Sequence, residues 1–420
     1  MKSRANNLVT GLDIGGTAVR IAVGARANTG NLDILHLIGA AEVPSGGVHK
    51  GVVTSIEDTV SAVSACLERA ERMCGAPIEH AWVGISGTHV LAQESKGVVA
   101  VSKADEEIAN EDVERAVEAA KTVATPMNYE ILHVIPKRFS VDGQTGIKDP
   151  IGMTGVRLEV DAQIIQGVSS QIKNLTKAVY RTGLDIDDLV LGVLACAEAV
   201  VTSRQKDLGV AVVNIGGATT SVAVFEEGDV LHTAILQIGS DHITSDLAIG
   251  LRTAIDVAER MKLEYGTAAP RMVPKKEEIE LASLGAPEAE LVDRRFVAQI
   301  IEARAEEIME KIDRELQAVG KSGMLPAGIV FTGGGAKLPG LTEVAKRVLR
   351  LSASLGYPLD ITSVTDKVND LAFTTAIGLV RWGVEMSGEE RSGFGALVGK
   401  FKSLNKVSVQ VRSWFKALMP

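Results

Sequence analysis

Leu8–Val23 reads LVTGLDIGGTAVRIAV, and about half the chain later Val210–Phe225 reads VAVVNIGGATTSVAVF. Each stretch is an apolar run, a polar residue (Asp13 or Asn214), an isoleucine, a Gly-Gly pair, then threonine and a second apolar run. Apolar runs of strand length on either side of a glycine turn predict a β-hairpin. Glycine gives the turn unusual dihedrals and lets an anion approach the backbone. Successive N–H groups of such a turn converge on a concavity suited to phosphate. One such hairpin is more often only a turn, but two matching copies predict a duplicated unit and so two similar lobes. A Walker-type loop would run from strand through Gly-Lys-Ser/Thr into a helix, and no stretch here does so.

A third glycine segment follows. Ala327–Leu341 reads AGIVFTGGGAKLPGL: an apolar strand, Thr332, three glycines and a helix start. Alone it is a strand-to-helix turn; after the two hairpins it suits a loop lying flat on a purine. Before it, Phe296–Val319 has helix-forming composition without Pro or Gly. Ile249–Lys262 (IGLRTAIDVAERMK) also reads as helix, with Glu259 and Lys262 on one face, a spacing that plain surface ion pairs share. Gly87–Asp161 interrupts the first half. Its acidic helix-like stretch (104–122) and strand-like pieces (133–141 and 156–165) predict an inserted subdomain.

Hydrophobic residues make up 46% and charged residues 23% of the 420, which predicts a folded chain of two or three domains. The net charge of −9 argues against a nucleic-acid partner. Cys66, Cys74 and Cys196 show no C-x-x-C spacing, which suits a reducing compartment and predicts buried thiols rather than a disulfide or zinc framework. The N-terminus shows no apolar secretory signal, and no window has the length of a membrane span.

The charge balance reverses at the end. From Lys400 on, the basic residues Lys400, Lys402, Lys406, Arg412 and Lys416 meet no acidic ones. Val407, Val411, Trp414, Phe415 and Leu418 recur at helical spacing on one face, with Lys406, Arg412 and Lys416 at its flanks. Such a helix suits the boundary of an anionic membrane, where each basic residue contributes roughly 1 kcal/mol. A helix docked on its own core is the plainer alternative.

With three glycine loops in this order, the chain resembles the actin, sugar-kinase and heat-shock ATPase superfamily, an α/β, actin-like, ribonuclease-H-like duplicated fold of two lobes. His133-Val-Ile-Pro136, Val141–Ile147, Pro150–Glu159 and Gly239–Ala248 narrow the resemblance to FtsA, the actin-like bacterial cell-division family. It runs from about residue 8 to 385.

That resemblance implies lobe I from residues 1–86 and 163–206, an inserted subdomain from 87–162, and lobe II from 207–246 and 328–385. It further implies a smaller subdomain from 247–327, a linker from 386–402 and a membrane-targeting helix from 403–420. It implies ATP and Mg²⁺ as ligands. Asp13, Gly15, Gly16, Thr17, Asn214, Gly216, Gly217, Thr219 and Thr220 would form the phosphate loops, with Asp13 at the metal. Glu259 and Lys262 would meet ribose and purine, and Gly333, Gly334, Gly335 and Lys337 the adenosine. The implied function is a scaffold at the division septum, on the cytoplasmic side of the inner membrane. It would assemble with itself into filaments, bind the FtsZ C-terminal peptide and recruit later divisome proteins. Arg294, Arg295 and Arg304 would meet that acidic peptide, or else pair with Glu290, Glu302 and Glu307.

Hydrolysis is where the family pattern breaks. Asn214 replaces an expected Asp, Ala218 a glycine, and Ser221 a frequent Asp. Gly192 stands where efficient hydrolysers carry an acid, Glu198 lies too far along to replace it, and Ala18 replaces a frequent Lys. ATP binding with slow or absent turnover is the expectation. Two other functions share the fold: a small-molecule kinase, which needs a catalytic Asp, and the type IV pilus adaptor, which docks on a peptide instead of inserting a helix.

Overall fold

The structure, a computed structural model, describes residues 8–29, 32–102, 105–122, 126–287 and 289–389. The chain opens with an antiparallel meander of β1 (Leu8–Ile14), β2 (Ala18–Thr29) and β3 (Leu32–Pro44). A short hairpin of β4 (Val48–His49) and β5 (Val52–Val53) leads into α1 (Ile56–Cys74), which starts at a Ser55 cap. β6 (His80–Ile85) then pairs in parallel with β1.

The insertion follows: β7 (Val90–Ala100), α2 (Asn110–Thr122), β8 (Tyr129–Val141), β9 (Gln144–Ile147) and β10 (Arg157–Val168). They build a separate sheet of order β7-β10-β8-β9. Leu158, Val160, Ala162 and Ile164 alternate along β10 and bury one face under α2. The chain returns through α3 (Ser169–Tyr180), β11 (Asp185–Leu191), α4 (Gly192–Val200) and α5 (Ser203–Leu208).

The second lobe repeats the first: a meander of β12 (Val210–Ile215), β13 (Thr220–Glu226) and β14 (Asp229–Leu236). Next come α6 (Ser240–Gly250), α7 (Ile255–Tyr265), the hairpin of β15 (Glu278–Glu280) and β16 (Leu291–Asp293), and α8 (Arg294–Ala318). β17 (Ile329–Thr332), α9 (Leu341–Leu349) and β18 (Ala353–Leu355) complete the lobe. Its order, β14-β13-β12-β17-β18, matches β3-β2-β1-β6-β11, with antiparallel and parallel pairings in the same places. This is the actin-like duplicated α/β fold.

Three expectations fail. The inserted sheet runs on to Val168 instead of ending at 162, because β10 stays paired with β7 and β8. Residues 361–385 pack on the first lobe, not the second. β19 (Ile361–Ser363) adds in parallel to the β3 edge, and Phe373 together with Ala376, Ile377 and Val380 of α10 (Thr374–Glu389) packs against Ala22, Leu35 and Leu37. The single helix expected over Ile249–Lys262 is two. Arg252 takes a left-handed φ of 51°, and the Arg252 and Thr253 N–H groups donate back to the carbonyls of Ile249 and Ala248. This is a Schellman stop with arginine where glycine is usual. The long helix expected over Phe296–Val319 is α8.

α4 reads GVLACAEAV, and all but Glu198 is buried. A helix apolar on all sides is a core helix. It lies between the lobes and against α10, where a Cβ on Gly378 would fall 2.0 Å from the Ala195 carbonyl oxygen. A Cβ on Gly11 would fall 2.1 Å from the Ala376 oxygen, so α10 also lies on the β1 backbone. Gly378→Ala should therefore lower stability by about 3 kcal/mol in urea unfolding, at the top of the range for overpacking. An unchanged midpoint would show that the two helices part without cost.

Candidate functional site: the cleft between the lobes

The two glycine turns have the same frame. Ile14 pairs with Val19 and Ile215 with Thr220, and each turn is closed by a hydrogen bond, Gly15 N–H to Ala18 O (3.1 Å) and Gly216 N–H to Thr219 O (2.8 Å). They face one another across the cleft: a Cβ on Gly217 would lie 2.5 Å from Thr17 Oγ1 and 2.7 Å from Asp241 Oδ2. Behind the second turn, α6 begins with Ser240 and Asp241 N–H groups donating to the carbonyls of Gly216 and Gly217. The triple-glycine loop closes the remaining side. Gly333 turns at φ 87°, and a Cβ there would strike Asn214 Oδ1.

A cavity of about 410 Å³ results, within the range of small-molecule sites. Asp13, Gly15, Gly16, Thr17, Asn214, Gly216, Gly217, Thr219, Glu259, Lys262, Gly333, Gly334, Gly335 and Lys337 all line it. Thr220 does not. Its side chain is fully buried and its hydroxyl donates to Ile238 O at 2.8 Å, because the strand alternation turns it into the lobe.

Lys262 Nζ pairs with Glu259 at 2.6 Å and also donates to Thr244 Oγ1 at 2.8 Å. Sequence reasoning missed several lining groups. Arg20 pairs with Glu42 at 2.6 Å, Asp370 holds the expected Lys337, and Asp241 projects from the start of α6. Arg20 had a signal, since it lies opposite Asp13 in the first hairpin register.

The floor is neutral. Asn214 Nδ2 donates to Thr375 Oγ1 at 3.0 Å and to Cys196 Sγ at 3.3 Å, and Cys196 and Thr375 are 3.2 Å apart. The amide thus joins the second lobe to both α4 and α10. Burial pushes the Cys196 thiol up to about 12, so it stays protonated. Burial also pushes Asp13 up to about 6, against the pull of Arg20. Burial raises Asp241 as well, opposed by Lys262.

Gly192 supplies no side chain where a Cβ would stand 3.4 Å from Thr375 and 3.8 Å from Ser86, both cavity residues. Glu198 points away, paired with Lys206 at 2.6 Å. Cys66 is buried like Cys196, whereas Cys74 is half-buried.

Of the arginines on α8, Arg304 is held by Asp246 and Glu307, and Arg294 by Glu277 at 2.7 Å and the Tyr265 carbonyl. Arg295 donates to Val273 O at 3.0 Å. Glu302 pairs instead with Arg347. Among the described residues no helix is long and apolar enough to cross a membrane. The expected membrane face, Val407, Val411, Arg412, Trp414, Phe415, Lys416 and Leu418, lies outside the described residues.

The chain is 36% identical over 389 residues to the cell division protein FtsA of Pseudomonas aeruginosa, covering 93% of this chain and 92% of that one. It is 39% identical over 377 residues to FtsA of Bacillus subtilis, covering 90% and 83%. The chain belongs to the FtsA family. A family profile described as "Cell division protein FtsA" matches residues 211–378, and one described as "SHS2 domain inserted in FTSA" matches 87–166. The insertion that interrupts the first lobe is therefore the SHS2 domain typical of FtsA. Among solved structures, the PilM-PilN type IV pilus biogenesis complex aligns at a TM-score of 0.66 with 17% identity, covering 90% of this chain and 98% of that one. MreB5 of Spiroplasma citri bound to ADP aligns at 0.53 with 11% identity, covering 92% and 99%. Both likenesses are of fold.

The Asp13 environment has a measurable consequence. Between about pH 4 and 6 the folded chain retains a proton at Asp13 that the unfolded chain has released, so this group's contribution to stability falls as pH rises through that window. Without nucleotide, Asp13→Asn should be the more stable protein at pH 7–8, by on the order of 2 kcal/mol. Urea unfolding from pH 8 to 4.5 should show that gap narrowing; a constant gap would contradict the burial argument.

Proposed function

We propose that this FtsA-family chain binds Mg·ATP in the interlobe cleft as a ligand that closes the lobes, with little or no turnover. On this reading the closed form assembles with itself into filaments. The basic end of the chain tethers them to the cytoplasmic face of the inner membrane at the septum, where they hold FtsZ by its C-terminal peptide and recruit later divisome proteins.

The carrying observation is the convergence of both glycine turns and the triple-glycine loop on one cavity. The residues present fit a nucleotide. A Cβ on Gly16 would have no neighbour nearer than Val48 O at 3.8 Å, and one on Gly334 none nearer than Ala372 at 4.0 Å, so both glycines leave open a cradle that side chains would fill. With the Gly15 and Gly216 N–H groups closing the turns, Gly16 and Gly217 would hold phosphates by backbone N–H groups, and Lys262 would offset their charge. Glu259 would meet the ribose hydroxyls. Mg²⁺ is usually bound through one or two carboxylates plus substrate phosphates, and Asp13 is the carboxylate for that role. When bound, the ion would neutralise phosphate charge.

Low turnover follows from what the lining lacks. Asn214 is a neutral amide already engaged by Cys196 and Thr375, and no side chain projects from Gly192 to orient a water. Positioning of that water is the chief work of an NTPase site. The FtsA relatives favour this reading over the kinase and the pilus adaptor. Arg294, Arg295 and Arg304 already have internal partners, which leaves the site of the FtsZ peptide open on that subdomain.

Gly16→Val should weaken Mg·ATP binding at least tenfold by calorimetry while leaving the melting temperature of the free protein nearly unchanged. No binding by the wild type at millimolar ATP would sink the nucleotide reading, and turnover of order 1 s⁻¹, a usual enzyme rate, would sink the structural-ligand reading. For the tether, a chain ending at Arg391 should lose sedimentation with anionic vesicles that the full chain shows. Equal pelleting of the two would remove the tail helix from the account.

A further inference from the structure

His133 belongs to the inserted sheet, on β8, yet its ring is buried with only 4% exposed and reaches into the first lobe. Its Nε2 accepts a hydrogen bond from the Leu191 N–H at 2.9 Å. Leu191 is the residue immediately before α4, and no side chain of its own caps that helix. Helix starts leave N–H groups that need an acceptor from outside the helix, and here one comes from another subdomain. Accepting at Nε2 requires a lone pair there, so the bond needs an imidazole unprotonated at that nitrogen. The same ring lies 6.2 Å from the Trp382 ring on α10. His133 therefore touches both helices that run beneath the cleft.

Those helices lead to the glycine turns. About one turn along α4, Cys196 Sγ accepts from Asn214 Nδ2 and lies against Thr375 of α10. Asn214 stands two residues before Gly216, the first glycine of the second turn. Between the two ends, α4 and α10 touch backbone to backbone at Ala195 and Gly378. The connection is one hydrogen bond, one rigid helical turn and one side-chain triad.

We propose that His133 is a positioning residue that couples the placement of the inserted subdomain to closure of the cleft. With His133 docked, the start of α4 is fixed and Cys196 holds Asn214 in the closed arrangement. Swinging the inserted subdomain away withdraws the acceptor, frees the start of α4 and loosens the second glycine turn. Linkage makes the effect reciprocal: a ligand that closes the cleft strengthens docking of the inserted subdomain, and a partner that pulls that subdomain away weakens the ligand by the same factor. The consequence for ATP rests on the nucleotide reading above; the mechanical coupling does not.

The test uses the full chain with His133→Phe, which keeps bulk but removes the acceptor, and His133→Gln, which retains an acceptor oxygen. Thr375→Val and the double variant His133→Phe/Thr375→Val complete the cycle. Amide hydrogen exchange without nucleotide is the first readout. His133→Phe should speed exchange at residues 191–196 and also at 214–219, and His133→Gln should restore both. The second readout is the dissociation constant for Mg·ATP. It should rise at least fivefold in His133→Phe, recover in His133→Gln, and rise in the double variant by less than the product of the single effects. Faster exchange confined to residues 129–136 and 191–193, or losses that multiply, would overturn the coupling. Should His133→Phe fail to fold, His133→Asn, whose shorter amide falls short of Leu191, takes its place with the same expected outcomes. If the wild type binds no ATP, the nucleotide reading falls, and the exchange comparison alone decides the coupling.

Discussion

The first lobe depends on two helices that meet with no side chain between them. Gly378 lets α10 settle on the Ala195 carbonyl of α4, and Gly11 lets the same helix settle on β1. The first lobe is thereby sealed by an element that the chain supplies only after building the second. Strand β19 and helix α10 come back across the interlobe boundary, and the stretch before α10 passes the cavity at Asp370 and Ala372. Chain crossings beneath the cleft join the two lobes on that side. Any side chain at these two glycines would lift α10 and with it Thr375, the hydroxyl that meets the second glycine turn through Asn214.

The chemistry of the cleft is set by burial more than by charge. Its cations are each matched by a carboxylate: Arg20 by Glu42, Lys262 by Glu259, and Lys337 by Asp370. Asp13 has been withdrawn from water far enough to be raised to about 6. At its floor, where a second carboxylate would sharpen a metal site, there is an amide committed to holding two helices. The same amide is the end of the run of contacts that begins at His133.

Much of this was legible in the sequence because it is local. A glycine turn between two apolar runs forms the same hairpin wherever it occurs, and the Glu259–Lys262 spacing places both groups on one helix face. The insertion announced itself by interrupting the repeat. Failures came where a distant partner decided the outcome. Thr220 was placed in the site by analogy with its neighbours, but its position in the strand register turns it inward to Ile238. The break between α6 and α7 carries no glycine, and arginine in the left-handed region gives no pattern to read. The arginines of α8 looked available until Asp246 and Glu277, far away in sequence, supplied their partners.

The sequence by itself determined the two lobes, the hairpins that face each other and the family, since each follows from residues within a few positions of one another. Only the tertiary structure decided which lobe owns α10, which residues lie opposite the second glycine turn, and where the His133 ring docks. Those depend on approaches between groups far apart in the chain, and a glycine that permits such an approach looks, in sequence, like any other glycine.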